Sequence, residues 1–251
     1  MRISINKKSF YFIIFLIFIL KLFLLNSDII GFHSWRQADT ASIAKNFYES
    51  GNSILYPQID WRGNSEGFVE SEFHFYPYLV SILYQIFGLH EFLGRLISMI
   101  FSFISSIFLF QLVKNIINEK TAFFSAIIFS ILPMNFFFSR AFMPESTMIM
   151  FSIIGIYYYY KWIEENKSIY YIISLISVSL AVLIKLPVLY LGIPLTFLSY
   201  FKYGFGFLKN LKILFFAIIV IIFSFLWYYH AHNLYLMTGL TFNIWNYGSD
   251  K

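Results

Sequence analysis

Residues 76–88 read Tyr76-Pro77-Tyr78-Leu79-Val80-Ser81-Ile82-Leu83-Tyr84-Gln85-Ile86-Phe87-Gly88. How this stretch sits decides the fold. It holds only a dozen or so residues after Pro77, whereas a perpendicular membrane span needs roughly 20. It is either a short crossing or a helix lying in the interface. The lysines of the rest of the chain choose between these. If 76–88 does not cross, the basic connections 114–120, 161–167 and 202–212 share a side with Arg2, Lys7 and Lys8. If it crosses, all three move to the opposite side. Short cytoplasmic loops carry the excess of Lys and Arg, so the interfacial placement is expected.

Working outward, apolar runs predict helical spans at 10–25, 92–113, 121–139, 145–162, 169–184, 187–201 and 211–229. The expected fold class is all-α integral membrane, with about seven transmembrane helices and juxtamembrane helices in a long first outer loop. The N-terminus is then cytoplasmic and the C-terminus outside. The outer connections are 26–90, the 140–145 turn, the 185–187 turn and 230–251. They gather Asp28, Asp39, Glu49, Asp60, Glu66, Glu70, Glu72 and Glu145 on one face.

Composition agrees. The 251 residues are 59% hydrophobic and 12% charged, with mean hydropathy +0.69, against about a quarter charged in soluble domains. Phe and Tyr serve here as membrane apolar residues. Cysteine is absent, which excludes disulfides, thiolate metal sites and thiol nucleophiles. The +5 charge is no sign of nucleic acid, because no basic run interleaves with exposed aromatics. Residues 1–25 have a basic start and an apolar run, but Asn26-Ser27-Asp28 is a poor cleavage site, so an uncleaved signal anchor is expected. Lys21 snorkels at its outer end. There is no phosphate-binding glycine loop, no nucleophile elbow and no H-E-x-x-H. No internal repeat marks an inverted-repeat transporter.

Four places can carry chemistry. In Trp35-Arg36-Gln37-Ala38-Asp39-Thr40-Ala41, Ser34-x-x-Gln37 fits a capping box that starts a helix. Ala38, Ala41, Ala44 and Tyr48 fall on one side of it. Arg36, Asp39 and Thr40 share another, at i, i+3 and i+4. Spacing admits both a surface Arg36–Asp39 ion pair and a base or clamp facing a lipid-accessible cavity. In Glu70-Ser71-Glu72-Phe73-His74-Phe75-Tyr76-Pro77, Glu70 reads as a solvated loop rim and Glu72 as the functional candidate. Paired acids beside aromatics and a His could bind a divalent cation or sugar hydroxyls, but a lone His with two acids at i and i+2 forms no recognised metal site, so no metal and no other cofactor is expected. In Arg140-Ala141-Phe142-Met143-Pro144-Glu145, Pro144 starts a helix and Glu145 sits in its first turn, favouring the helix dipole. Arg140 reads as an interfacial anchor. Lys185 interrupts the run 169–201. Pro187 lets the helix end there and places Lys185 at the outer interface, where it either snorkels or binds phosphate.

Together these residues carry a resemblance. His33-Ser34-Trp35-Arg36-Gln37-Ala38-Asp39-Thr40-Ala41, then Glu72-Phe73-His74-Phe75-Tyr76-Pro77-Tyr78, then Ser139-Arg140-Ala141-Phe142-Met143-Pro144-Glu145-Ser146, then Leu183-Ile184-Lys185-Leu186-Pro187 occur in order. The chain resembles the membrane glycosyltransferases of the GT-C fold. It is most similar to the bacterial family 39 branch, relatives of dolichyl-phosphate-mannose protein mannosyltransferases and of the aminoarabinose lipid A transferase. The resemblance implies transfer of a sugar from a polyprenyl phosphate to a glycolipid or protein acceptor outside the cytoplasm, at the inner membrane. It maps the catalytic carboxylate to Asp39 and a second acidic position to Glu145. Arg36, Arg140 and Lys185 become candidates to hold the departing phosphate, Glu72 a substrate-binding carboxylate, and Trp35, Tyr76 and Trp61 rings for stacking on sugar. Such enzymes are longer, with further spans, so the chain is expected to be a C-terminally truncated piece. A lipid-sugar transporter, a binding subunit or an inactive remnant are the competing expectations; a transporter would hide its ionisable residues inside the spans.

Overall fold

The computed structural model describes residues 7–22, Leu25 and 32–242. The expectations for Arg2, Asp28 and the stretch 243–251 lie outside the described residues. The described chain is mostly helical: α1 (Lys7–Leu22), α2 (Ser34–Ser50), α3 (Phe75–Phe87), α4 (Glu91–Ile116), α5 (Glu119–Ile131), α6 (Pro133–Phe138), α7 (Glu145–Glu165), α8 (Ser168–Ile184), α9 (Gly192–Tyr203) and α10 (Leu211–Thr238). Among the described residues, β structure is limited to two isolated bridges, Gln58 with Phe68 and Glu70 with Thr241.

Two helices are long and apolar enough to cross a membrane by length and composition: α4, with 26 residues, and α10, with 28. At 1.5 Å per residue they are about 39 and 42 Å long, more than the ~30 Å of a hydrocarbon core. Prolines break two of the other expected spans. The run 121–139 is interrupted at Leu132 (φ −52°, ψ 131°), because Pro133 disfavours the helical conformation for the residue before it. Pro133 then opens the short α6. The run 187–201 begins as a 3₁₀ turn, Leu186–Leu191, before α9. At its far end α10 runs past the expected 229 to Thr238. Gly239 (φ 73°) stops it there by donating its N–H to the Tyr235 carbonyl, the left-handed cap that glycine adopts without strain.

The stretch that decides the topology forms α3. Its 13 residues make about 20 Å of helix, short of a span. It packs on α2 and α4: Tyr76, Val80 and Tyr84 of α3, Ala44 of α2 and Leu93 and Ile97 of α4 form one buried cluster, with Ala41 beside it. Ala41 and Ala44 of α2 face α3, while Ala38, placed on the same side by spacing, is exposed.

Elsewhere the helices approach closely through small residues. Ser174 donates to the Gly155 carbonyl at 2.8 Å, and a Cβ on Gly155 would lie 2.7 Å from Val178. A Cβ on Gly94 of α4 would lie 2.3 Å from the Phe142 ring. Tyr159, Trp162, Val178, Val182, Leu195, Phe216 and Val220 form the core among α7 to α10.

The loop between α2 and α3 is ordered by its own bonds. Ile59 N–H donates to Gly67 O (3.0 Å) and Val69 N–H to Pro57 O (3.1 Å). Asn46 of α2 bonds both Gln58 O (2.9 Å) and the Asp60 carboxylate (3.0 Å). Ile59 and Val69 are buried against Ile43 and Phe47 of α2. The end of α10 closes on the same loop: His230 Nε2 lies 2.8 Å from Leu55 O, and Thr238 donates to Phe68 O at 2.6 Å. The α2–α3 loop and the end of α10 thus form one unit.

Candidate active site

The start of α2 departs from the expected capping box. His33, in the left-handed conformation (φ 57°), precedes Ser34, and no side chain caps the helix. Gln37 turns outward from its own helix instead. Its Nε2 donates to Phe32 O (3.1 Å), and its Oε1 accepts from the Phe142 N–H (3.0 Å). The Phe142 N–H lies in a buried place and needs such a partner. Ser98 of α4 donates to Ala141 O (2.8 Å) on the same turn. The 140–145 turn is thereby held against α2 and α4.

Asp39 sits one turn further along α2. The Trp61 Nε1–H donates to its Oδ1 at 3.0 Å. Its Oδ2 is buried and has no hydrogen-bond partner among the described residues. Burial raises the Asp39 pKa; the indole bond opposes that rise and nearby Asp60 adds to it. The Arg36–Asp39 pair that spacing allowed is not formed. Arg36 Nη2 bonds Glu72 Oε2 at 3.0 Å instead. Glu72 is brought there because the next residue, Phe73, donates its N–H to Leu183 O at 3.0 Å, one of the carbonyls left open at the end of α8. Burial raises the Glu72 pKa, against the attraction of Lys185 and Arg36.

Lys185 lies where Pro187 places it. α8 ends at Ile184 and Lys185 is extended (φ −150°, ψ 110°). Its Nζ is 2.7 Å from Glu145 Oε1, with the two side chains 21% and 10% exposed. Glu145 is the first residue of α7, behind Pro144, so it faces both the helix N-terminus and a lysine. Its second oxygen is buried without a hydrogen-bond partner among the described residues.

These groups surround a cavity of about 680 Å³, lined by Trp35, Arg36, Asp39, Thr40, Ile43, Ser71, Glu72, Phe73, His74, Pro77, Pro144, Leu186, Pro187, Leu189, Tyr228 and Phe242. Trp35 is 66% exposed at its edge. The Lys185–Glu145 pair stands beside it, next in sequence to the lining residues Leu186 and Pro144.

Two expected site residues are elsewhere. Tyr76 is fully buried; its hydroxyl donates to Gly94 O (2.8 Å) and accepts from Ser98 (3.1 Å). Its ring meets Phe142 edge-on and has no open face for a sugar. Arg140 lies outside the lining, with its guanidinium 4.4 Å from the Phe136 ring centroid and Nε donating to Phe136 O.

The sequence profile of the dolichyl-phosphate-mannose-protein mannosyltransferase family matches residues 74–229. The chain belongs to that family. As a member it is an integral membrane protein, and the GT-C resemblance carried by its motifs is borne out. Its fold is that of ArnT from Cupriavidus metallidurans. The crystal structure of ArnT bound to undecaprenyl phosphate matches with TM-score 0.69 at 13% identity, over 90% of this chain and 41% of ArnT. The apo structure gives 0.66 at 13% identity, over 95% and 42%. An uncharacterized protein of Aquifex aeolicus (strain VF5) is 32% identical over 80 residues, 32% of this chain and 19% of that protein. The chain therefore spans about two-fifths of the ArnT structures and a fifth of the Aquifex protein.

The matched family segment includes Arg140, Glu145 and Lys185 but begins after Arg36, Asp39 and Glu72. Those three enter the site through the helix–loop unit that precedes it. Two features of this family member escaped the sequence reading. Glu70 is not a solvated rim; it is fully buried, with the Thr241 hydroxyl on its Oε2 and His232 Nδ1 3.6 Å from its Oε1. His232 lies in the last turns of α10 and Thr241 just beyond it, so no local spacing announces them. Trp61, expected only as a stacking ring, also spends its polar edge on Asp39. His74 is buried beside Ser71, with which it is hydrogen bonded; burial pushes its pKa down to about 3, so it is neutral near pH 7.

Proposed function

We propose that this chain carries the reacting centre of an inverting glycosyltransferase, which moves a sugar from a polyprenyl phosphate to an extracytoplasmic glycolipid or protein. One observation carries the reading: Asp39 and the Arg36–Glu72 pair line a single cavity, with Lys185–Glu145 beside it. The undecaprenyl phosphate bound by ArnT supports the donor class. The proposed topology has seven spans with the N-terminus inside, which puts the cavity on the outer face of the inner membrane.

In the proposed reaction an acceptor hydroxyl oxygen bonds to the anomeric carbon. Its proton passes to Asp39 Oδ2, the oxygen that Trp61 leaves open. The bond from the anomeric carbon to the phosphate oxygen breaks, and its electron pair leaves with the polyprenyl phosphate. A carboxylate with a raised pKa is a stronger base than a solvated one, provided it remains ionised at the working pH. Arg36 and Lys185 supply the positive charge for the departing phosphate. Each is already paired with a carboxylate, so the phosphate shares the cation. Arg36 keeps further guanidinium donors for this. Glu145 orients Lys185, Glu72 orients Arg36, and Trp35 offers an exposed ring at the rim. Tyr76 and Arg140 have no assigned contact with substrate, and no resident cofactor is assigned.

The test uses membranes containing the chain, a panel of synthetic polyprenyl-phosphate sugars, and release of polyprenyl phosphate as readout. Asp39→Asn should lower turnover about 10²- to 10⁴-fold with expression intact. Wild-type turnover in that variant removes Asp39 as the base. Movement of labelled donor across vesicles with no sugar released would favour a transporter instead.

A further inference from the structure

Trp61 stands in the outer loop, 22 residues beyond Asp39, yet its indole N–H is spent on that carboxylate at 3.0 Å. Two contacts of the preceding residues anchor its segment, and one contact is made by the indole itself. The preceding Asp60 is bonded to Asn46 of α2 at 3.0 Å. Ile59 is fully buried against α2. On its other side, Trp61 meets the ring of Phe242 edge-on at 5.7 Å. Phe242 is held by its own backbone, whose N–H donates to Glu70 O at 3.0 Å. The segment after α10 therefore buttresses Trp61, and Trp61 reaches Asp39.

A single hydrogen bond at this place has a specific geometric effect. It engages one carboxylate oxygen and fixes the side-chain torsion. The other, Oδ2, is buried and without a protein partner among the described residues. Asp39 lines the cavity.

We infer that Trp61 is a positioning residue: its indole N–H holds Asp39 so that the second oxygen meets the attacking hydroxyl, with Phe242 as its support. This rests on the proposed transferase reading. A donor to the ionised carboxylate also favours the charged form. Its loss leaves burial and Asp60 to raise the pKa unopposed. The active fraction of Asp39 then falls at the acid end of the pH range.

Two variants at Trp61 and one spectroscopic titration test it, all in the full chain. Trp61→Phe keeps a ring against Phe242 and removes the donor. It should lower kcat roughly 10- to 100-fold, the scale of a misplaced catalytic group, with the donor KM within about twofold. The acid limb of its kcat profile should move to higher pH. Trp61→His restores a ring N–H and should recover part of the loss. Unchanged kcat and acid limb in Trp61→Phe, or a His variant no better than the Phe variant, overturns the inference.

The titration leaves Trp61 in place, so it does not depend on that variant folding. In a Trp35→Phe background, which removes the other tryptophan near Asp39, indole emission should change as the carboxylate ionises. The change should vanish when Asp39→Asn is added. Emission that titrates identically with and without Asp39 refutes the coupling. If the wild-type chain transfers no sugar, the transferase reading fails, and this titration still decides the contact.

Discussion

Removing Lys185 from Glu145 should cost more than removing both. The pair is 2.7 Å apart with side chains 21% and 10% exposed. At that separation and an effective dielectric constant near 20, the attraction is about 6 kcal/mol before desolvation. Desolvation consumes most of it, so the net value of such a pair against a matched apolar pair is near zero. The single variants differ sharply from that. Lys185→Met leaves the Glu145 carboxylate buried with no cation, and also strips Glu72 of the neighbouring charge that holds its pKa down. Breaking one side of a buried pair costs about 3–5 kcal/mol. Because Lys185 retains some access to water, the low end of that range, about 3 kcal/mol, is expected here. For a chain of this size that is a drop of roughly 6–12 °C in melting temperature.

Glu145→Gln should be milder, since the lysine it releases can extend toward the cavity and its water. The double variant, Lys185→Met with Glu145→Gln, should melt within a few degrees of wild type. A thermal-unfolding double-mutant cycle in one detergent and at one pH reads the coupling, which should be about 2–3 kcal/mol. Additive losses, with the double variant the least stable of the four, would refute the buried-pair argument. The same four proteins, assayed for binding of polyprenyl phosphate, separate the structural role of the lysine from the proposed phosphate-binding one. The double variant should recover stability without recovering phosphate affinity.

The remaining predictions concern Asp39 and the turn before α7. Asp39 has a raised pKa in the folded state, so its contribution to stability is fully present below its unfolded value, about 3.9, and is lost as pH rises through the folded value. Asp39→Asn, which carries no charge to desolvate, should therefore be more stable than wild type at pH 7. The two melting temperatures should converge below about pH 4, and a constant offset at every pH would remove burial of the charge as the cause. Gly94→Ala places a methyl carbon 2.3 Å from the Phe142 ring, which is buried and cannot swing away. It should cost about 1–3 kcal/mol and, by displacing the turn that carries Glu145, reduce turnover as well; unchanged melting and turnover would show that the ring yields freely.

What the sequence made legible follows the range of the interactions involved. The break at Pro187, the short α3, Glu145 in the first turn of α7 and Lys185 just past the end of α8 all follow from rules acting within a few residues; the break at Pro133 obeys the same rule, although the apolar run 121–139 reads straight through it. The Ala41 and Ala44 face of α2 is legible for the same reason. Partners are another matter. Spacing offered Arg36 only one nearby acid, Asp39, yet its actual partner is Glu72, 36 residues away. Gln37 serves a backbone N–H 105 residues on, and Glu70 a threonine 171 residues on. Such pairings depend on which helix ends meet, and no periodicity encodes that.

The distinction bears on the chemistry. Each charged residue of the site has an ordinary local explanation: Arg36 and Asp39 as a helix-surface pair, Glu145 as a dipole partner, Lys185 as an interfacial lysine. Those explanations fail together once the elements are assembled. Arg36 abandons Asp39, and Asp39 is left with one oxygen held by Trp61 and one with no hydrogen bond among the described residues. Glu145 also keeps one buried oxygen with no hydrogen bond among the described residues, although Lys185 holds the other. A purely structural surface has no reason to carry such groups beside a cavity, since each unmatched buried acceptor costs about 1–3 kcal/mol. On the proposed reading, a substrate that brings a hydroxyl to Asp39 and an anion to the neighbouring cations supplies a compensating partner for these oxygens.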